Sequence, residues 1–351
     1  MTRKIFQALT ILIAVAGLAF FTAACERPQP PAPLAPPKPT GPQEIKLEQP
    51  AMGTVFEYIV FSDDPESARN AIAAAMILVQ RAESLMSDRR PDSEVSRIGK
   101  AAGGPPIAVD PEVFEVVERS LRISELSGGA FDITVAALRG VWSVNPEHPR
   151  IPTAAEVQAK LPLIDWRKVI LDRERHAVGL AAPGMAIDLG GIAKGYAVDL
   201  AVAKLKELGV TMASVNAGGN LRVMGPHVDR PWNVGIQHPR KKDELIAWLG
   251  LSDRAVSTSG DYEKFIEQDG KRYCHITDPK TGMPVMHTQS VTIVAPEAWQ
   301  ADGLSTAVFV LGHERGMTLI ESLPGVEGVI IDAEGKRYES SGLKGKVNWL
   351  E

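Results

Sequence analysis

"AIDLGGIAKGYAVD" spans residues 186–199 and sets an acid, a glycine pair and a lysine close together: Asp188, Gly190, Gly191 and Lys194. Apolar residues precede the motif and a helix-patterned run to about Leu208 follows, so an extended segment turns into a helix here. Glycine lets a ligand approach the backbone, and the first N–H groups of a helix point toward an anion, which suggests a phosphate-bearing ligand. A tight turn made only for packing gives the same sequence signal. The surrounding sequence decides between a doubly wound parallel sheet and an α+β arrangement.

Upstream, β-patterned sequence begins near Glu44, notably at residues 54–61. Asp64-Pro65 opens a helix reaching about Met86, and Asp110-Pro111 opens a second that stops at Gly128-Gly129. In both, Asp serves as N-cap and Pro as first helical residue, and glycine ends the second. A polar loop, 87–94, follows the first helix, and short extended segments lie around 169–172 and 176–180. Downstream, strands and turns alternate through 214–216, 232–237, 246–249 and 290–295. Two helices follow, near 298–311 and 314–323, and a C-terminal hairpin turns near Glu334-Gly335. There is no internal repeat. Helices early and antiparallel-looking strands late predict an α+β fold, with mostly antiparallel sheets packed against helices, rather than a doubly wound sheet.

At 351 residues and 44% hydrophobic content the chain can bury a substantial core. A net charge of −5 with no long basic stripe excludes nucleic acid as a partner, and the short cluster Arg240-Lys241-Lys242 reads as a solvated turn. Arg3 and Lys4 precede an apolar run from Ile5 to Ala24, the pattern of an export signal over 1–24. Ala23-Ala24-Cys25 resembles a lipobox in which Cys25 is lipidated, with Thr22 where that motif usually has Leu. A retained membrane anchor is the alternative, and either reading tethers the protein outside the cytoplasm. Prolines crowd the segment 25–43, which suits an extended spacer, and the globular body follows over 44–351. The only other cysteine, Cys274, is left without an intramolecular partner if Cys25 is lipidated. Two cysteines also exclude a zinc or iron–sulfur site built on thiolates alone.

Chemistry-bearing residues recur through the body. In "WQADGLSTAVFVLG", Asp302 and Thr306 are one helical turn apart and can converge on a hard cation such as Mg²⁺, although an exposed acid and a back-bonded threonine read the same. Mn²⁺ suits the same oxygen ligands. "SGGAFDITVAAL" carries Asp132 after a double glycine, either as a ligand contact or as the N-cap of the next helix. In "YCHITDPKTGMP", His275 has a compact polar neighbourhood and is a candidate general base. "VNAGGN", ending at Asn220, is a second close-approach turn.

Together these stretches resemble the ApbE-type FAD:protein FMN transferases from about Met52 to Phe309. The resemblance lies in "AMGTVFE", "RPDSEVSRI", "SGGAFDITVAAL", "IDLGGIAKGYAVD", "VNAGGN", "PWNVGIQHP", "STSGDYEKF", "HITDPKTGMP" and "ADGLSTA", in the family order. It implies an enzyme that moves the FMN half of FAD to a threonine or serine hydroxyl of a target protein and releases AMP. On that resemblance Asp188 and Lys194 hold FAD, and Met52, Ala130, Phe131, Asp132 and Ile276 contact it. Gly191 (through its carbonyl), Asp302 and Thr306 bind Mg²⁺, and His275 falls where the family has a histidine implicated in catalysis. A divalent ion bridging the pyrophosphate lowers repulsion toward the hydroxyl and stabilises the departing AMP. Either His275 or Asp261 is suited to accept the hydroxyl proton.

Two positions depart from the family pattern. Arg89 stands where an aromatic ring is usual, and a guanidinium also stacks on a flat ring. Asn220 stands where the family has Asp. An FAD hydrolase releasing FMN and AMP, and a non-catalytic flavin-binding lipoprotein, are the competing readings; the Asp302 and Thr306 pair counts against the second. A membrane-tethered enzyme facing the periplasm implies an exported acceptor protein, such as a component of a respiratory electron-transfer complex.

Overall fold

Alternation in "QEIKLEQPA" (β1, Gln43–Ala51) buries Ile45 and Ala51 and leaves the intervening charges outside. β1 pairs antiparallel with β2 (Thr54–Ser62) through a two-residue turn at Met52 and Gly53, both with positive φ (52° and 74°), the geometry of a tight hairpin. Pro50 is tolerated because β1 is an edge strand. The structure, a computed structural model, describes residues 41–350, so the expected export signal, Cys25 and most of the proline-rich segment lie outside it. No helix among the described residues is long and apolar enough to cross a membrane.

Six more strands extend the hairpin into one eight-stranded sheet: β3 (Ala213–Ala217), β4 (Asn220–Met224), β5 (Arg254–Gly260), β6 (Thr288–Ala295), β7 (Glu327–Asp332) and β8 (Arg337–Glu339). The spatial order follows chain order and every neighbouring pair is antiparallel, so the doubly wound alternative is excluded and the α+β expectation holds. The sheet is covered on both faces. Phe56, Tyr58, Val60, Val215, Val291 and Ile293 pack into a core with the helices. Phe61, Val223, Val256, Val294, Val329 and Ile331 pack instead against Trp232, Ile236 and Leu249 of a three-stranded sheet (Trp232–Gln237, Leu245–Leu251, Asn348–Trp349).

The helices begin where the caps dictate. Asp64 accepts from the backbone N–H of Glu66 and Ser67 at 3.1 Å and starts α1 (Pro65–Met86), whose stripe Ala68, Ala71, Ile72, Ala75, Val79, Ala82 and Met86 is buried. Ser93 caps α2 (Glu94–Lys100), and Asp110 caps α3 (Pro111–Leu126), which ends before Gly128 at φ 60°. Thr153 and Glu156 form a capping box on α4 (Ala154–Lys160). The two helices nearest the site are α5 (Ala193–Glu207) and α6 (Ala298–Glu321). The two helices expected at 298–311 and 314–323 are one path broken at Gly312, whose φ of 74° and ψ of −176° leave helical geometry. The extended segment before α5 joins no sheet; Asp188 donates its N–H to the Ile133 carbonyl at 2.8 Å. Cys274 is buried with a free thiol, and burial pushes its pKa up to about 11.

Candidate active site

Antiparallel register carries four chain segments to one end of the large sheet. The turn Met52-Gly53 adjoins β2, whose Phe56 pairs with Ala217 just before the turn Gly218-Gly219. Asn220, beyond that turn, pairs with Ser257 of β5, and Gly260 at the end of β5 pairs with Ser290 near the start of β6. The first half of α6 reaches the same end, because Ser305 and Thr306 contact Ser259, and the first turn of α5 packs against it through Gly195.

The two helices meet closely. Gly195 donates its N–H to Asp302 Oδ2 at 2.9 Å, and a Cβ at Gly195 would collide with the Ala298 carbonyl. Gly191 lies against Thr306 and Phe131: a Cβ there would be 3.4 Å from Thr306 Oγ1 and 3.1 Å from the Phe131 ring. Gly191, Asp302 and Thr306 are thus brought into one neighbourhood. Asp302 is 4% exposed, and its Oδ1 has no hydrogen-bond partner among the described residues yet is not sealed from solvent. Burial raises its pKa, opposed by the charge of Lys194 and the Gly195 N–H. One unpaired carboxylate oxygen, one threonine hydroxyl and a nearby backbone turn form a donor set suited to a hard divalent cation that keeps waters or phosphate oxygens in its remaining positions. No cluster of three His, Cys, Asp or Glu side chains suited to a metal occurs among the described residues.

Lys194 is central to the electrostatics. Its Nζ donates to the Gly190 carbonyl at 2.9 Å, and its charge acts on Asp188, Asp302 and His275 together. Asp188 Oδ1 accepts from the Gly190 N–H at 2.7 Å. Desolvation, with the nearby charge of Asp88, raises the Asp188 pKa against the pull of Gly190, Arg139 and Lys194. Asp88 and Arg139 form an ion pair at 2.6 Å beside this group, and no local motif marks either residue in the sequence.

His275 is exposed to solvent. Its backbone N–H donates to the Lys264 carbonyl at 3.0 Å, and ring Nδ1 lies 3.3 Å from the same oxygen. Desolvation by its surroundings, reinforced by the charges of Lys264 and Lys194, lowers its pKa from 6.5 to about 4. With Nδ1–H directed to Lys264, Nε2 keeps a lone pair to accept a proton.

Other expected residues take structural roles. Asp132 is an N-cap: Oδ1 accepts from the Thr134 N–H at 2.8 Å and hydroxyl at 2.6 Å, and Oδ2 from the Trp166 N–H at 2.9 Å. Its carboxylate therefore anchors the 132–134 turn to Trp166, while Ala130 and Phe131 are buried beside it. The other candidate base, Asp261, is buried and ion-paired: Arg240 donates to both its oxygens at 2.7 and 2.8 Å. The same bond corrects the reading of Arg240 as part of a merely solvated turn. Ile276 is buried and its carbonyl accepts from Val285, closing a small hairpin. Met52 sits at the tip of its hairpin, and Arg89 is exposed after α1 with no ion pair among the described residues.

An antiparallel α+β body that gathers a carboxylate, a hydroxyl and a lysine at one end of its large sheet has the donor set an anionic ligand with a divalent cation would use. Residues 52–330 match the ApbE family. An FAD:protein FMN transferase of Treponema pallidum is 34% identical over 329 residues, covering 88% of this chain and 90% of its own. The crystal structure of an ApbE protein from Thermotoga maritima superposes with a TM-score of 0.79 at 34% identity, covering 87% of this chain and 99% of its own. The flavin transferase ApbE of Vibrio cholerae gives 0.77 at 30% identity, covering 88% and 100%. The chain belongs to the ApbE family.

Proposed function

We propose that this chain is an FAD:protein FMN transferase that uses Mg²⁺ to move FMN from FAD to a threonine or serine hydroxyl of an exported protein, with AMP as the other product. The acceptor oxygen forms a new bond to the phosphorus on the riboflavin side, and the bond from that phosphorus to the bridging oxygen breaks. AMP leaves with the bridging oxygen, and the hydroxyl proton passes to solvent by way of His275. Bound Mg²⁺ would supply neutralisation of the pyrophosphate charge and of the charge developing on AMP.

The chain's own residues divide the remaining work. Asp302, Thr306 and the Gly191 carbonyl would hold the ion, and Lys194 and Asp188 would bind and orient the dinucleotide. Arg89 would lie beside the flavin, and Met52 and Ile276 would close around it. His275, neutral at physiological pH, would take the hydroxyl proton on Nε2. The observation that carries the reading is the unpaired Oδ1 of Asp302, held beside Lys194 and next to Thr306 by the Gly195 contact. The body, 44–351, would be tethered to the periplasmic face of a bacterial membrane through lipidated Cys25 and the proline spacer, in reach of a respiratory electron-transfer component.

The test is to incubate the full-length chain with FAD and Mg²⁺, with and without an acceptor domain carrying a threonine, and to measure AMP, free FMN and protein-bound flavin. Flavin on the acceptor in step with AMP is the expected result. AMP with free FMN regardless of acceptor would mean hydrolysis, and intact FAD would mean binding alone.

A further inference from the structure

Asp302 is not the one carboxylate of the site with an oxygen to spare. Asp188 Oδ1 accepts from the Gly190 N–H at 2.7 Å, while Oδ2 has no hydrogen-bond partner among the described residues and is not sealed from solvent. A guanidinium stands beside it. Arg139 ends the 3₁₀ helix Ile133–Leu138, and the Asp188 N–H ties that helix to the glycine motif through the Ile133 carbonyl at 2.8 Å. Arg139 Nη2 lies 2.6 Å from Asp88 Oδ2, and its Nε and Nη1 meet no protein acceptor among the described residues. A guanidinium carries several N–H donors in one plane, so Arg139 is anchored through one nitrogen and keeps the others to give. Its side chain is 50% exposed, which leaves those donors open to a ligand.

The charges sort the site into two ends. Lys194 acts on Asp188, Asp302 and His275 alike, whereas Arg139 and Asp88 act on Asp188 and on neither of the other two. Arg139 therefore stands on the side of Asp188 away from Asp302, and away from a pyrophosphate bridged by an ion held there. Beyond the pyrophosphate a dinucleotide offers a ring. Arg89, which follows Asp88 in the chain, belongs to the same side, the side of the flavin in the reading above. The pyrimidine edge of a flavin has an N–H between two carbonyl oxygens. A carboxylate that accepts and a guanidinium that donates, side by side, complement that edge.

We propose that Arg139 is a further binding residue for FAD, donating to a carbonyl oxygen on the pyrimidine edge of the flavin while Asp188 Oδ2 accepts the neighbouring ring N–H. The proposal rests on the flavin-transferase reading above and adds a ring-recognising pair to it.

The test is FAD binding to the full-length chain, followed by quenching of flavin fluorescence with Mg²⁺ withheld so that FAD stays whole. Displacement of the bound FAD by ADP, which has the adenine and both phosphates but no flavin, is the companion measurement. Arg139→Gln is expected to weaken FAD binding about tenfold, the scale of one hydrogen bond from a charged donor, and to leave ADP affinity within about twofold of the parent. Arg139→Lys keeps a charge beside Asp88 but not the planar fork, and is expected to weaken FAD binding about threefold. Circular dichroism checks the fold, and Arg139→Lys carries the test should Arg139→Gln fail to fold. Parental FAD affinity in both variants would overturn the proposal. Equal weakening of FAD and ADP would put Arg139 on the phosphates or the adenine and overturn the ring assignment. No FAD binding by the parent chain would overturn the flavin-transferase reading, and this contact with it.

Discussion

Gly195 of α5 donates its backbone N–H to Asp302 Oδ2 of α6 across 2.9 Å, where no side chain separates the two helices. The contact fixes one carboxylate oxygen and leaves the other free, so the helix packing sets where the proposed ligand oxygen sits. A methyl group at Gly195 would run into the Ala298 carbonyl and lie 2.8 Å from Asp302 Cβ. Gly195→Ala is therefore expected to destabilise the protein by about 1–3 kcal/mol through overpacking and to raise the Mg²⁺ concentration needed for half-maximal transfer. Calorimetry and a Mg²⁺ titration check both; an unchanged melting temperature would mean that the helices have slack there.

Asp302→Asn separates charge from geometry. The amide oxygen still accepts from Gly195, so the fold should persist, but the anionic ligand is gone. Transfer measured by AMP release is expected to drop by about a hundredfold or more, the scale of metal stabilisation of several kcal/mol. Asp302→Ala should abolish Mg²⁺-dependent turnover altogether. Turnover within about tenfold of the parent in either variant would remove Asp302 from the cation site.

Asp199 closes the motif that begins at Ala186, and it works at a distance. Its carboxylate accepts from the N–H groups of Ala298 and Trp299, both at 2.9 Å, and pairs with Arg222. Glu297, the local cap position of α6, makes no side-chain cap bond, so Asp199 caps the helix that carries Asp302 and Thr306. Asp199→Ala removes a cap and strands a half-buried guanidinium, an expected loss of about 3 kcal/mol in urea unfolding. A loss under about 0.5 kcal/mol would show that water replaces the carboxylate at no cost.

Much of this was legible in sequence because the signals are local. Asp64-Pro65 and Asp110-Pro111 each carry their own cap and first helical residue, and both helices start there. The capping box at Thr153 and Glu156 was equally local but went unread within a polar stretch. β5, "RAVSTSG", was missed for a physical reason: Ser257 and Ser259 face a buried hydroxyl line instead of an apolar core, so the alternation that marks a strand is absent. The ion pair of Asp261 is hidden in the sequence because its partner Arg240 lies 21 positions away, and nothing local announces that bond. Asp199 and Ala298 are separated by 99 positions, so the cap on α6 is visible only in three dimensions.

His275 gives the sharpest pH test. Its surroundings and the charges of Lys264 and Lys194 lower its pKa from 6.5 to about 4, so the free enzyme holds it neutral through physiological pH. If Nε2 takes the acceptor proton, kcat/KM for transfer is expected to stay level from about pH 8 to about pH 5 and to fall only as the imidazole protonates near 4. The sign for stability is the same. Between 6.5 and about 4 the unfolded chain binds a proton at this position that the folded chain refuses, so the stability contribution is present above 6.5 and is lost as pH falls through the folded value. His275→Gln should lower kcat/KM by about 10²-fold, remove the acid limb and flatten that part of the stability profile, whereas Asp261→Asn should cost stability and leave the limb in place. An acid limb centred on 6.5 would instead mean an imidazole solvated as in water, and a limb that survives in His275→Gln would assign the proton to another group.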